Sequence, residues 1–275
     1  MKTLTVMFLM LLIGFNVSAG ELREDAYNDF EGIIGSNAKI CLTLFPLTDG
    51  TIKGHYFYRK YERKITIEGT YSKNSIILNE LDEKGDVRAT FKGVYNDSFA
   101  GTWRDNASKK ELAFSLSFKQ ICVDGAFESG SGEFYNRYSV MNVNDDKVVE
   151  DFARKAKTSI LKGDYAQLAN YISFPITVSI NAKRRKIKNA DEFVKVADQI
   201  FTQGFLHKLR ESPTTDMLVN WQGAMIGDGE IWIGTDVKQV RDKHHKDGYR
   251  LVEIIMVIAI NPVYSRLEGA GGAKW

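Results

Sequence analysis

The sequence predicts two successive folded units of different class. Residues 20–123 read as an antiparallel β-barrel-like meander. Residues 144–264 read as an α+β unit in which an antiparallel sheet packs on helices. Three observations carry this. Seven short runs of strand character, each bounded by turn residues, fill 38–118 without a helical stripe. Helical periodicity begins only beyond Asn144. Between them, 124–143 contains Ser129-Gly130-Ser131-Gly132 and little periodicity, which marks a linker.

Before the first unit, Met1-Lys2-Thr3 leads into an apolar run from Leu4 to Phe15 and then Val17-Ser18-Ala19-Gly20. A basic start, a short apolar stretch and a small-x-small site predict a signal peptide over 1–19, cleaved near Ala19. The run is too short to span a bilayer, and no later stretch is long enough to do so. The chain is therefore expected to be exported, periplasmic or secreted. A net charge of +2 gives no reason to expect nucleic acid as a partner. Hydrophobic content of 44% and aromatic content of 12% are enough for substantial cores. Cys41 and Cys122 form an even pair in an exported chain, which predicts a disulfide closing a loop of about 80 residues, worth roughly 4–5 kcal/mol. Two buried free thiols are the alternative.

The predicted strands of the first unit are Ala38–Phe45, Thr51–Tyr61, Ile65–Tyr71, Ser75–Leu81, Val87–Val94, Phe99–Trp103 and Leu112–Phe118. Gly54-His55-Tyr56, Gly69-Thr70-Tyr71, Gly93-Val94-Tyr95 and Gly101-Thr102-Trp103 repeat a Gly-x-aromatic pattern. Glycine beside a large ring lets a strand bend while the ring covers the gap, as barrel closure requires. An aromatic-lined mouth for a small apolar molecule or glycan is the functional alternative. Phe91-Lys92-Gly93 and Phe99-Ala100-Gly101-Thr102-Trp103 resemble strands of lipocalin or avidin-type barrels. That resemblance implies a shape and a cavity, and it transfers no binding residue.

In the second unit, Asn144 or Asp145 caps a helix carrying Val148, Val149, Phe152, Ala153, Ala156 and Ile160, and Gly163 ends it. Asp164 with Gln167 opens a short second helix. After Phe174-Pro175 come a strand at Ile176–Ile180 and a return strand over 181–186. Asn189 with Glu192 heads a helix carrying Phe193, Val196, Ala197, Ile200 and Phe201, which Gly204 ends. Asp228-Gly229 predicts a type I′ hairpin with Met225 facing Trp232 and Gly223 facing Gly234. Alternation then puts Trp221, Met225 and Trp232 on one face, around the glycine pair. This is either close packing against a helix or the wall of a ligand pocket. A last strand runs from Tyr249 to Asn261, and 265–275 reads as a flexible tail.

Phe174-Pro175-Ile176-Thr177-Val178, the helix at 190–201, Trp221-Gln222-Gly223 with Gly227-Asp228-Gly229-Glu230-Ile231-Trp232, and Ile254–Asn261 together resemble the nuclear transport factor 2 and SnoaL-like superfamily. The resemblance implies an α+β cone with a strongly bent antiparallel sheet, often with a pocket. That superfamily hosts enzymes, protein-binding modules and silent domains, so it does not fix a function.

Enzymes of that kind use an acid/base group inside an apolar cone. Glu253 is the catalytic candidate, because it shares a strand face with Leu251, Ile255 and Val257. Pairing with Arg250, or a place beyond the covered part of the strand, would explain it equally. Asp228 and Glu230 read as hairpin-tip residues, and His207 as a loop residue. His244-His245 lacks a third ligand, so no metal is expected. No cofactor motif is present. Lys183, Arg184, Arg185 and Lys186 read as an exposed turn, or as a docking patch for an acidic protein partner or an anionic envelope polymer.

Three expectations follow. The first is an exported, non-catalytic protein-binding module of bacterial type, including an inhibitor or immunity-type protein for an envelope-acting enzyme. The second is a carrier of a small apolar ligand, with Trp221, Trp232, Met225, Gly223 and Gly234 as its wall. The third is a SnoaL-like acid/base enzyme using Glu253.

Overall fold

A computed structural model of the chain describes residues 21–122, 136–241 and 249–261. The expected signal peptide, Ser129–Gly132, His244-His245 and the C-terminal tail lie outside the described residues.

The N-terminal part is a closed barrel of eight antiparallel strands in sequential order. They are β1 (Tyr27–Ile34), β2 (Ala38–Pro46), β3 (Thr51–Tyr58), β4 (Ile65–Ser72), β5 (Ser75–Leu81), β6 (Val87–Tyr95), β7 (Ser98–Asp105) and β8 (Glu111–Cys122). Seven match the strands expected from sequence. The additional one, β1, closes the barrel by pairing with both β2 and β8. Its sequence, Tyr-Asn-Asp-Phe-Glu-Gly-Ile-Ile, does not alternate cleanly. Tyr27, Asn28, Asp29 and Phe30 are all buried, because both faces of β1 are covered at that end.

Side chains fill the barrel. Phe30, Leu42, Leu44, Tyr56, Ile67, Leu78, Phe91, Phe99 and Leu116 are each at most 1% exposed and belong to one core. Phe91 and Phe99 both meet the Phe114 ring edge-on, with centroids 5.3 and 4.8 Å apart. The recurrent glycines serve closure. Gly93 and Gly101 face each other across β6 and β7, and a Cβ on Gly101 would lie 2.1 Å from the Lys92 carbonyl oxygen. No side chain fits so close an approach.

Cys41 and Cys122 are both buried free thiols, which corrects the expected disulfide. β1 separates them: Cys41 faces Glu31 on one side and Cys122 faces Tyr27 on the other. Two strand spacings and four residues along the strand place them well over ~10 Å apart, whereas a disulfide needs Cα atoms within about 7 Å.

The C-terminal part is an α+β region. Its helices are α1 (Asp146–Lys162), α2 (Tyr165–Ala169), α3 (Ala190–Ile200) and α4 (Gln203–Glu211). The Asp145 side chain caps α1 and Gly163 ends it at φ 71°. Asp164 caps α2 and Asn189 caps α3, as their sequences predict. Gly204 does not end α3. Thr202 caps a further helix that contains it, so His207 is helical. β9 (Ile176–Ile180) and β10 (Lys183–Ile187) form a hairpin, and β11 (Leu218–Asn220), β12 (Gly223–Ile226), β13 (Ile231–Arg241) and β14 (Tyr249–Ile260) form a four-stranded antiparallel sheet. Helices and sheet share one core, including Val149, Ala153, Leu168, Phe193, Phe205, Ile226, Ile233 and Val257. Among the described residues, no helix is long and apolar enough to cross a membrane.

Candidate functional site

The barrel's outer wall on one side is polar and covered. Outward positions of β1, β2, β3 and β8 present Asp29, Thr43, His55, Gln120 and Cys122 to the loop between α4 and β11 and to Arg137. The expected linker, 124–143, thus contains two wholly buried side chains, since Arg137 is 2% and Tyr138 0% exposed.

Arg137 donates to both Asp29 oxygens, Nη1 to Oδ2 at 2.8 Å and Nη2 to Oδ1 at 2.6 Å. Such a bidentate pair is a strong, directional contact. Thr43 Oγ1 and Gln120 Nε2 donate to the same carboxylate at 2.7 and 2.9 Å. Burial opposes the Arg137 charge, but Asp29 beside it holds the guanidinium firmly protonated.

Asp216 is the centre on the loop side. Its side chain is 6% exposed, and Oδ2 lies 2.6 Å from His55 Nε2. Thr43 Oγ1 approaches the same oxygen at 3.1 Å. Lys64 Nζ sits 2.9 Å from Oδ1 and 2.9 Å from Glu150 Oε1, bridging two carboxylates. Burial pushes the Asp216 carboxyl up, but His55, Arg137 and Lys64 outweigh it and hold the group well below the ordinary aspartate range. Glu150 goes the other way: burial raises it, and Lys64 only partly offsets that. Lys64 is raised, its two carboxylates outweighing burial.

The loop's main chain is gripped as well. Glu62 Oε2 accepts from Thr214 N at 2.8 Å and Thr215 N at 3.1 Å, Glu150 Oε1 accepts from Asp216 N at 3.1 Å, and the Tyr138 hydroxyl accepts from Met217 N at 3.0 Å. Asp216 is held at φ 54° and Glu62 at φ 48°, a left-handed conformation that only strong contacts maintain. Beside this seam is a cleft of about 300 Å³, lined by Glu31, Arg59, Lys119, Lys208, Glu211 and Glu230 among others. Its lining carries charges of both signs. The pocket beneath it, walled by Asp29, Thr43 and Asp216, is only about 20 Å³, the space of one water.

The polar groups of the seam are engaged chiefly with one another. A carboxylate–histidine pair needs a nucleophile or a substrate position beside it. The nearby hydroxyl, Thr43 Oγ1, already donates to Asp29, and burial pushes the Cys41 thiol up to about 12. The Cys122 thiol is also raised by burial. The buried charges face groups of opposite sign, with Arg137 Nε and Asp216 Oδ1 left without a hydrogen bond, and these contacts join the barrel to the α+β region. Sequence patterns could not reveal it, because its members lie far apart along the chain.

The sequence-derived candidates are scattered over the α+β region. Asn220 pairs with Gly223, so Trp221 and Gln222 form a tight turn and Trp221 is 83% exposed. One long expected strand is therefore two, and Trp221 leaves the face of Met225 and Trp232. Those two do face each other, as expected. Asp228 does not adopt the positive φ that a type I′ turn requires, while Gly227 and Gly229 do. Glu230 is buried at 2%, correcting its reading as a solvent residue, and accepts from Asp228 N at 2.6 Å. A Cβ on Gly223 would lie 2.2 Å from Ile233 O, and one on Gly234 2.7 Å from Ile258, so both glycines stand in close contact with neighbouring strands, while Met225 lines the cleft beside the seam. Lys183, Arg184, Arg185 and Lys186 are exposed along β10, with the turn itself at Asn181 and Ala182.

Glu253 is exposed. It lies on the rim of an open groove of about 810 Å³ between α1 and β14, with Val148, Phe152, Tyr171, Ile254 and Ile255 in its walls. No family model, curated protein or solved structure matches the chain.

Proposed function

We propose that the chain is an exported, non-catalytic protein-binding module, of the inhibitor or immunity type for an envelope-acting enzyme. One contrast supports this reading. Interiors are filled and buried charges are matched, while apolar and basic groups stand outside. Trp221 is 83%, Leu251 73% and Val237 55% exposed, and β10 displays four successive cations. A binding module needs such a display and a rigid support, and the barrel with its locked seam is a suitable support. The apolar run before Ala19 supports export. The helix–helix–hairpin–helix–helix–sheet order supports reading the α+β region as a member of the nuclear transport factor 2 and SnoaL-like superfamily, and the sequential closed barrel supports a lipocalin or avidin-type shape. The groove between α1 and β14 favours a second reading, a carrier of small apolar molecules.

Capture from periplasmic extract on the immobilised full chain, with mass spectrometry of bound proteins and small molecules, tests the choice. Stoichiometric retention of a protein is the expected result. Retention of small molecules alone would replace this reading with the carrier.

A further inference from the structure

β14 is the outer strand of its sheet, and part of its free edge is already in use. Val257 N donates to Tyr171 O at 2.7 Å, and Ser173 N donates to Val257 O at 3.0 Å. Along a strand, successive residues direct their main-chain groups to opposite sides. The N–H and C=O groups of Ile255, Glu253 and Leu251 therefore point to the same edge as those of Val257. The register with β13 is unbroken there, with Ile255 facing Thr235, Glu253 facing Val237 and Leu251 facing Gln239. Among the described residues, no strand pairs with this stretch. An unpaired edge of this kind is a template for another strand.

The groove opens along that edge. Val148, Phe152 and Tyr171 form one wall, and Ile254 and Ile255 the other. Val148 remains 49% exposed beside it. The charged lining is Asp145, Asp151 and Glu253 against Lys155. Lys147 and Arg154 already engage Asp151, and Asp145 caps α1, so Glu253 and Lys155 are the charges left to meet an incoming segment, Glu253 being the one on the strand edge.

We propose that this edge and groove form one docking site for an extended peptide segment of a partner protein. The segment adds as a strand beside β14, sets apolar side chains on Val148, Phe152 and Tyr171, and places a lysine or arginine against Glu253. This deepens the protein-binding reading and rests on it. The edge itself selects the class of occupant. Only a polypeptide offers alternating N–H and C=O groups at strand spacing, whereas a small apolar molecule would fill the groove and leave the edge unpaired.

The test uses the full chain and a displayed library of peptides of about eight residues, a common strand length, alternating Val, Ile or Leu with Lys, Arg, Thr or Glu. The expected result is enrichment of cationic over glutamate-bearing peptides. The enriched peptide should slow amide exchange at Leu251, Glu253 and Ile255, and methylation of its alternate amide nitrogens should abolish binding. Glu253→Lys should weaken it about tenfold, the scale of one lost charge contact, and shift enrichment to glutamate peptides. Val148→Asp should weaken it without altering the thermal melt, because Val148 is half exposed. Equal binding by the methylated peptide, no enrichment, or self-association of the chain through these amides would each overturn the proposal. If capture retains a protein but these amides stay unprotected, the docking site fails and the protein-binding reading stands. If capture retains no protein, the reading itself fails.

Discussion

His55 Nε2 and Asp216 Oδ2 lie 2.6 Å apart across 161 residues of sequence, joining the outer wall of the barrel to the loop before β11. Asp216 also faces Lys64 and Arg137, at 2.9 and 3.7 Å from Oδ1. Asp216→Asn keeps a residue that tolerates positive φ and removes only the charge. Leaving buried cations without their partner costs about 3–5 kcal/mol. Urea unfolding of the variant should show that loss, whereas Asp228→Asn at the exposed loop should change stability by less than about 0.5 kcal/mol.

Acid should open the same seam. Folded Asp216 binds its proton more weakly than the unfolded chain, so its contribution is complete above the ordinary value of 3.8 and is lost as pH falls through the depressed folded value. Glu150 has the opposite sign: it is raised by burial, so its effect is a loss of stability as pH rises through 4.5 towards the folded value. Lys64 is raised, so its contribution is present below 10.5 and is lost as pH climbs through its folded value. Urea midpoints measured across pH should show a flatter acid limb for Asp216→Asn than for the native chain. Glu150→Gln should remove the decline above 4.5.

The thiols should behave as buried free groups. With the Cys41 thiol pushed up to about 12, alkylation of the folded chain at neutral pH should be slow, and unfolding should expose both cysteines. A reductant should leave the melting temperature unchanged, and a mass decrease of two hydrogens should be absent.

Gly101 tests barrel closure. An alanine there would drive its Cβ into the Lys92 carbonyl and the Gly93 Cα, at 2.1 and 2.5 Å. Gly101→Ala should cost about 1–3 kcal/mol or more, as overpacking does, measured by thermal or urea unfolding. Gly85→Ala, with no heavy atom within 4 Å, tests backbone strain alone at its φ of 86°.

Local signals in the sequence were informative about local structure. The caps at Asp145, Asp164 and Asn189 act as their residue types predict, because capping depends on a few neighbouring groups. The Gly-x-aromatic strands report barrel closure for the same reason. β1 was not legible, since burial of both its faces hides the alternation that reveals a strand. Trp221-Gln222 concealed a turn, because Gly223 supplies the unusual φ of 132° only once β12 pairs back on β11. The seam was the least legible feature. Asp29, His55, Arg137 and Asp216 each look like an ordinary surface residue until the barrel docks on the α+β region. Cys41 and Cys122 misled by number alone, because the even count carries no information about the strand between them.

Site-specific photo-crosslinking in cells that express the full chain tests the protein-binding account most directly. A photoreactive side chain would replace Val148 or Leu251 beside the groove, and Lys208 or Glu211 beside the seam cleft, one position at a time. The account predicts the same protein adduct from Val148 and Leu251 and none from Lys208 or Glu211. Adducts from the cleft positions alone, or no protein adduct at any position, would contradict protein docking at this groove.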